Sequence, residues 1–479
     1  MCRVLIAAMV TLASCALSVA FAATAKPFGD GEIVVFLGDS ITQQGQWIRP
    51  LTDFYRTRYP QRQISFHNVG IAGGTMSSNA SRVSRDVAPL KPTCVVVMCG
   101  MNEACSARPF CVGWPVTADD RVRREKAIAG YRRSVERMAE AVRTACGAKT
   151  RLLFLTPSIY DSVARTPVGK PENDGWNRLL GDFAALLKEG AEAGGWEVAD
   201  VHAPMTRYNE QFQIGDREFS VVSGTERVHP DEKGGYFMAE CVLAAQGVSP
   251  VVSDIVFDGA HGIVRSAENA LVSCVERLPD GWRLMVCEKS LPYPIRKATE
   301  EVAARTGFFA VTERGKGCNR QWFSAEGLSG GMWCLSIDGE RVALASAEQF
   351  ASGVNLAACA DSPQMRQAVA VTAANGEGRM KEANLRRLVS CYWWLRGCKL
   401  KDPDDIAEVS AWKKANPEKG GWFGQQVASY IEQWPLRERI REEIRLCEEK
   451  AYRLAKPQRR EWILRRVTCA PAVAGSDAR

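Results

Sequence analysis

Histidine is scarce in this chain: only His67, His202, His229 and His261 occur among 479 residues. Any chemistry that needs an imidazole therefore has few candidates. Seventeen cysteines are present, yet no two stand in a C-x-x-C pair and none clusters with histidine, so a structural zinc site is not indicated. No segment repeats at a fixed period, which argues against a solenoid or propeller. Glycine and proline, 40 and 22 residues, are too few for a collagen-like or low-complexity protein. Basic residues exceed acidic ones by only 62 to 55, a net +7 spread along the chain. So diffuse an excess argues against a phosphate-binding surface and against nucleic acid as a partner. Beyond the first two dozen residues no stretch reaches the ~18 uninterrupted apolar residues that a membrane-spanning helix requires.

An apolar content of 46% with 24% charged residues fits a globular protein with a sizeable core. The length corresponds to two or three domains at ~150 residues each. Residues 1–22 read as a secretory signal: Arg3 precedes a weakly polar to apolar run, Val4 to Ala23, that ends in Ala20-Phe21-Ala22 and Ala23-Thr24-Ala25. Small side chains at these places suit cleavage near Ala22 or Ala25. An uncleaved anchor is the alternative, and Leu12-Ala13-Ser14-Cys15 resembles a lipoprotein box, although the apolar run continues past Cys15. The expected location is periplasmic or extracellular, with no integral membrane part after cleavage. Cys94, Cys99, Cys241 and Cys274 lie in apolar runs and read as small buried hydrophobes. In an oxidising compartment some cysteines should pair, and Cys105 with Cys111 is the expected couple in the catalytic half.

Between residues 30 and 248, short β-branched runs alternate with helical patterns. The expected strands are Ile33 to Leu37, Ile64 to Val69, Cys94 to Cys99, Arg151 to Thr156 and Trp196 to Val201. The helices are Trp47 to Tyr59, Ser77 to Val87, Arg121 to Ala145, Asn173 to Ala193 and Glu232 to Gln246. This alternation implies an α/β domain, a five-stranded parallel sheet with helices on both faces. Right-handed crossovers place every strand's C-terminal end on one edge, where sites form. Residues 251–345 read as a small antiparallel β unit, because Pro279-Asp280-Gly281 and Asp338-Gly339-Glu340 carry hairpin-turn chemistry between strand-like runs. Residues 346–479 read as a helical C-terminal region. Within it Ile440, Ile444, Cys447, Ala451 and Leu454 form one apolar stripe, a packing face.

Three strand ends supply groups that could act on one carbonyl. The first runs into Gly38-Asp39-Ser40-Ile41, offering a hydroxyl. The second ends Asn68-Val69-Gly70-Ile71-Ala72-Gly73-Gly74, where glycines let a backbone amide approach a ligand. It lacks the lysine of a phosphate-binding loop. The third ends Gly100-Met101-Asn102-Glu103, offering a carboxamide. For a base, His67 and His202 sit in or beside strands and His261 in a turn. His229, in the loop Glu226-Arg227-Val228-His229-Pro230 with an acid three residues earlier, is the best candidate.

The blocks Gly38-Asp39-Ser40-Ile41, Asn68 to Gly73, Gly100-Met101-Asn102 and His229-Pro230 occur in the order and at the strand ends of the SGNH or GDSL-type esterase/lipase family. The chain resembles that family over residues ~30 to 248, about one domain. The resemblance implies a three-layer α/β/α flavodoxin-like fold, Ser40 as nucleophile and His229 as base. It also implies an oxyanion hole from the Ser40 amide, the Gly73 amide and the Asn102 side chain, with no metal or organic cofactor. Relatives usually have Asp three residues before the histidine, where this chain has Glu226, and Asp after the asparagine, where it has Glu103. Glu226 can complete a triad; Asp231 or a Ser-His dyad are the alternatives. A further likeness, Gly353 to Ala357 with Pro363 and Gln367-Ala368, is to larger exported bacterial members.

The expected reaction is hydrolysis of a carboxylic ester through an acyl-enzyme. The substrate would be a small-molecule or polysaccharide ester, with short acyl groups, acetyl above all. Gln43 and Trp47 near the entry are the candidate substrate-binding residues, and no apolar lid of the long-chain lipase kind is evident. A lysophospholipase- or thioesterase-like lipid hydrolase is one alternative. A non-catalytic scaffold of the same fold, binding glycans or partners, is another. Trp282, Trp322 and Trp333 could mark a carbohydrate-binding module but read more simply as core.

Overall fold

The computed structural model describes residues 24–107, 113–164, 174–222, 227–309, 317–418 and 421–467. The expected signal segment lies outside them. So do Cys111 and Glu226.

Five strands form an all-parallel sheet: β1 (Ile33–Gly38), β2 (Ser65–Asn68), β3 (Cys94–Met98), β4 (Arg151–Leu155) and β5 (Glu197–Ala199), in the order β2-β1-β3-β4-β5. Val34 to Leu37, Val95 to Val97 and Leu153 to Leu155 are buried, as expected of central parallel strands covered on both faces. The helices are α1 (Ser40–Gln44), α2 (Ile48–Arg58), α3 (Met76–Ala80), α4 (Met101–Ser106), α5 (Ala118–Cys146), α6 (Gly175–Glu189), α7 (Ala191–Gly194), α8 (His202–Gln213) and α9 (Glu232–Ala245). The chain steps from β1 outward to β2, then reverses across β1 to β3, β4 and β5. With right-handed crossovers, that reversal puts α2 on one face and α3, α5 and α6 on the other. The contacts agree, since α2 packs on α9 while α3 packs on α5 and α5 on α6. The reversal point between β1 and β3 opens a crevice at the strands' C-terminal edge. Ser40 stands there.

The chain beyond residue 250 departs from the expected division. Two sheets pack face to face around Phe257, Leu284, Phe323, Leu335, Trp462 and Leu464. One contains β6 (Val251–Asp258), β7 (Ile263–Glu268), β10 (Arg320–Glu326) and β13 (Val354–Asn355); the other contains β8 (Ala270–Leu278), β9 (Gly281–Glu288), β11 (Met332–Ile337), β12 (Glu340–Ser346) and β14 (Arg459–Arg466). Both expected hairpins form, but β6 and β10 pair in parallel, so the unit is not wholly antiparallel. Nor does it end at residue 345. Strand β14, in a region read as helical throughout, inserts between β9 and β11. Arginines at both ends disguise its alternating middle, Trp462-Ile463-Leu464. Trp282, Trp322 and Trp333 are all buried, as core residues. Cys94, Cys99 and Cys241 are buried, but Cys274 is exposed because β8 is an edge strand.

The helical part contains α10 (Glu300–Thr306) and α11 (Ala347–Ser352), which punctuate the β unit, then α12 (Pro363–Gly397), α13 (Ile406–Ala415), α14 (Gly421–Gln433) and α15 (Arg437–Ala455). Ser362 caps α12 by accepting from the Met365 amide, with Pro363 at the first helical position. The apolar stripe of α15 packs along α12, with Cys447 and Ala451 buried. A Cβ on Gly376 would lie 2.5 Å from the Arg49 guanidinium, so α12 approaches α2 closely enough that a larger residue there would have to displace the Arg49 head group. Asn375 then donates to Asp53 Oδ1 at 2.7 Å and to Thr52 Oγ1 at 2.9 Å. Among the described residues no helix is long and apolar enough to cross a membrane.

Trp462 is almost wholly enclosed between the two sheets. Trp462→Ala is expected to destabilise the β unit by ~3–5 kcal/mol, read as a lowered urea midpoint with an unchanged far-ultraviolet spectrum in native buffer.

Candidate functional site

Ser40 opens α1 directly after β1. The preceding Asp39 caps the helix, its Oδ1 accepting from the Ile41 amide at 2.9 Å. Asp39 is enclosed, and burial, opposed by that amide and reinforced by nearby Glu103, pushes its carboxyl up to about 7. Gly45 ends the helix in a left-handed conformation, φ 71°.

The loop after β2 lies across the backbone of α1. A Cβ on Gly70 would fall 2.4 Å from the Gln43 nitrogen, so only glycine fits. Asn68 fixes this crossing by donating from Nδ2 to the Thr42 carbonyl at 2.7 Å while its Oδ1 accepts from the Gly70 amide at 2.9 Å. Gln43 Oε1 accepts from the Ala72 amide at 2.8 Å and from Ser390 Oγ at 2.5 Å. The loop then reaches Gly73, exposed and left-handed at φ 75°. From the third strand end, Asn102 donates from Nδ2 to the Gly74 carbonyl at 3.0 Å. Glu103 accepts from the Met76 amide at 2.5 Å, and burial raises its carboxyl above the usual range. The residue after Asn102 therefore positions the loop that carries Gly73.

His229 arrives from the loop before α9. Its Nε2 stands 2.8 Å from Ser40 Oγ across 189 positions of sequence. The loop is held at its base by Asp161, whose amide donates to the Arg227 carbonyl at 3.2 Å. The buried Asp161 carboxylate also accepts from Ser220 Oγ at 2.5 Å, Asn209 Nδ2 at 3.1 Å and Gln213 Nε2 at 3.0 Å. This hub was not anticipated. Its signal was available, since Asp161 follows β4 at the same sheet edge that supplies Ser40 and Asn102.

The structure thus brings Ser40, Gly73, Asn102 and His229 to one edge, and takes Gln43 and Trp47 away from it as substrate contacts. Gln43 is buried and spent on Ala72 and Ser390. Trp47 is buried in the core, its ring edge-on to Phe36 at 5.1 Å; its place one turn after α1 points it inward under the sheet's covering layer. Asp231, the alternative acid, caps α9 by accepting from the Gly234 amide at 3.0 Å. Of the other histidines, His202 is buried at the start of α8, and burial lowers its pKa. His67 is half-buried in β2 with its pKa lowered for the same reason. His261 closes the β6–β7 turn against Asp258 at 3.0 Å. Among the described residues no group of His, Cys, Asp and Glu could hold a metal ion.

A hydroxyl within hydrogen-bond reach of an imidazole nitrogen can lose its proton to the ring as the oxygen attacks. Placed at the switch point of a 2-1-3-4-5 parallel sheet beside a glycine-rich loop and an asparagine, that pair defines a serine-hydrolase type of site. Residues 36–235 match the model of the GDSL-like Lipase/Acylhydrolase family. The α/β domain is thereby of the SGNH/GDSL esterase type, and the protein is a carboxylic ester hydrolase. It is 23% identical over 234 residues to an acetylxylan esterase of Geobacillus stearothermophilus, covering 46% of this chain and 95% of that protein. A solved structure of a gut microbial diltiazem-metabolizing enzyme superimposes with a TM-score of 0.81 at 24% identity, covering 93% of this chain and 99% of that one. The latter likeness is one of fold, and it extends through the β unit and the C-terminal helices.

The environment of Asp39 has a consequence for stability. Its folded pKa of about 7 lies above that of an unfolded aspartate, so the folded state holds a proton that the unfolded state has released. Stability then falls as pH rises from about 4 to about 7, by on the order of 4 kcal/mol from this group. Asp39→Asn, which preserves the cap, is expected to flatten that slope in urea titrations across the interval.

Proposed function

We propose that the protein is an exported serine esterase that removes short acyl groups, acetyl above all, from carbohydrate through an acyl-enzyme. The observation that carries this reading is the 2.8 Å approach of His229 Nε2 to Ser40 Oγ. Ser40 Oγ attacks the ester carbonyl while His229 takes its proton. The Ser40 amide, the Gly73 amide and Asn102 Nδ2 receive the oxyanion. The Gly73 amide donates to no protein acceptor among the described residues, and Asn102 Nδ2 has a second hydrogen beyond the one given to Gly74. Collapse expels the alcohol, which receives the proton from His229. Water then repeats the sequence on the acyl-enzyme. Glu226 is the proposed partner that orients the imidazole; the engagement of Asp231 as a helix cap favours it over that alternative.

Two observations bear on the acyl group and the alcohol. The matched relative bears the name of an acetylxylan esterase. Gln44 and Gln46 beside α1 are exposed, a polar surrounding that suits hydroxyl-rich substrates. The N-terminal apolar run supports export.

Ser40→Ala is expected to abolish labelling by a fluorophosphonate probe and to lower kcat/KM on a p-nitrophenyl acetate-type ester by about 10⁴-fold or more. Wild-type turnover by that variant would refute the mechanism. Asn102→Ala should cost ~10²–10³ in kcat. Acetylated xylan should be deacetylated in preference to long-chain lipid esters, measured by acetate and fatty-acid release; the reverse preference would refute the substrate class.

A further inference from the structure

We propose that Asp161 is a positioning residue for the reaction, one whose carboxylate fixes the frame from which His229 reaches Ser40. The proposal rests on the pairing of Ser40 with His229 put forward above, and extends it to a residue that the mechanism itself does not use.

Asp161 follows β4 and is only 2% exposed. Its Oδ1 accepts from the amides of Val163 at 2.9 Å and Ala164 at 3.1 Å. These two bonds fold the carboxylate over its own following turn and so set the direction of the Asp161 amide, which donates to the Arg227 carbonyl at 3.2 Å. Arg227 is two residues before His229. Oδ2 accepts from Ser220 Oγ at 2.5 Å, Asn209 Nδ2 at 3.1 Å and Gln213 Nε2 at 3.0 Å. Both α8 partners continue to the chain beside Ser220: Asn209 Oδ1 accepts from the Val221 amide at 3.0 Å, and Gln213 Nε2 donates to the Phe219 carbonyl at 2.9 Å. One residue thus holds residues 219–221 through its carboxylate and Arg227 through its amide.

The backbone at Arg227 shows why such a hold is needed. Its φ of 59° lies in the left-handed region, a conformation that a residue with a Cβ keeps only where its surroundings impose it. Two residues after His229, Asp231 is in turn fixed as the cap of α9. The imidazole therefore stands midway between two anchored points. Asparagine cannot replace the carboxylate without loss, because every partner of its two oxygens donates. Whichever way the carboxamide is turned, its NH₂ faces N–H groups that are left without an acceptor in a buried place. Asn209 cannot reverse to compensate, since its own oxygen is engaged by Val221.

Kinetics on p-nitrophenyl acetate, in the wild-type and the His229→Ala background, separate positioning of the histidine from general support. Asp161→Asn is expected to lower kcat by about 10²-fold, the scale of a catalytic group displaced by ~1 Å, with KM within about twofold. Residual turnover without His229 comes from the oxyanion hole and binding, so in that background the same substitution should change kcat by less than about threefold. Equal losses in the two backgrounds, an unchanged kcat, or a raised KM with kcat intact would overturn the proposal. If Asp161→Asn shows no cooperative urea transition, Ser220→Ala is carried through the same cycle, since it removes one donor and leaves the carboxylate. A loss of about fivefold in kcat that disappears without His229 is expected there; no loss, or a loss that persists, would overturn the assignment. Wild-type turnover by Ser40→Ala is a different outcome, and would refute the pairing on which the proposal rests.

Discussion

A single carboxamide oxygen joins the parts on which the site depends. Gln43 Oε1 lies in the turn of helix that begins with Ser40, and it accepts hydrogens from both the Ala72 amide and Ser390 Oγ. The first bond fixes the glycine-rich loop against the serine's helix. The second ties both to α12, nearly 350 positions away in sequence. A buried oxygen with two donors is fully satisfied, and loss of either leaves an unpaired group in a dry environment. The position of the Ser40 hydroxyl relative to Gly73 is therefore a property of the whole chain as well as of the α/β domain.

Helix α12 also resolves a problem that the sheet order creates. Strand β2 is an edge, and an edge exposes amides and carbonyls that would recruit another strand. Here α12 supplies side chains in place of a neighbour: Glu382 accepts from the Asn68 amide at 2.9 Å and Arg379 donates to the Phe66 carbonyl at 3.0 Å. The two side chains pair with each other at 2.8 Å, so their charges are compensated where they are buried. The same strand ends in Asn68, which braces α1. Protection of the edge and construction of the site thus share residues.

The α/β half was legible because its signals are local and periodic. The five strand runs emerge within a few residues of the expected limits, as do α2, α5 and α9, whereas the expected Ser77 to Val87 helix breaks after Ala80 and the Asn173 to Ala193 helix divides into α6 and α7. Ser40, Gly73, Asn102 and His229 converge because a parallel sheet places every strand end on one edge. What escaped notice depends on distance. Gln43 and Trp47 closely follow Ser40 in sequence, but α1 is so short that one turn moves a side chain from the crevice into the core, and no periodicity reveals this. Asp161 gathers donors from α8 and from Ser220 through space, and α8 was not recognised because its start coincides with the end of β5. Strand β14 escapes a local reading because its value as a strand depends on β9 and β11, which flank it only after about 110 residues of mostly helical chain have folded back.

That late return makes the β unit and the helices one folding problem. Until β14 arrives, β9 and β11 each present an unpaired edge, and Trp462 and Leu464 are absent from the core they complete. Strand β14 follows α15, which packs on α12 and also meets α2 through the Arg56–Glu448 ion pair, and α12 in turn is seated on α2 and β2 of the esterase domain. The packing of α12 and α15 on the α/β domain and the closure of the sandwich by β14 are therefore linked through one continuous stretch of chain. The same docking places Ser390 on Gln43, so the segment that seals the distant β unit also brings in the last bond beside Ser40. An accessory region coupled in this way acts as structural support for the site, since its Ser390 completes the bonding of Gln43 Oε1.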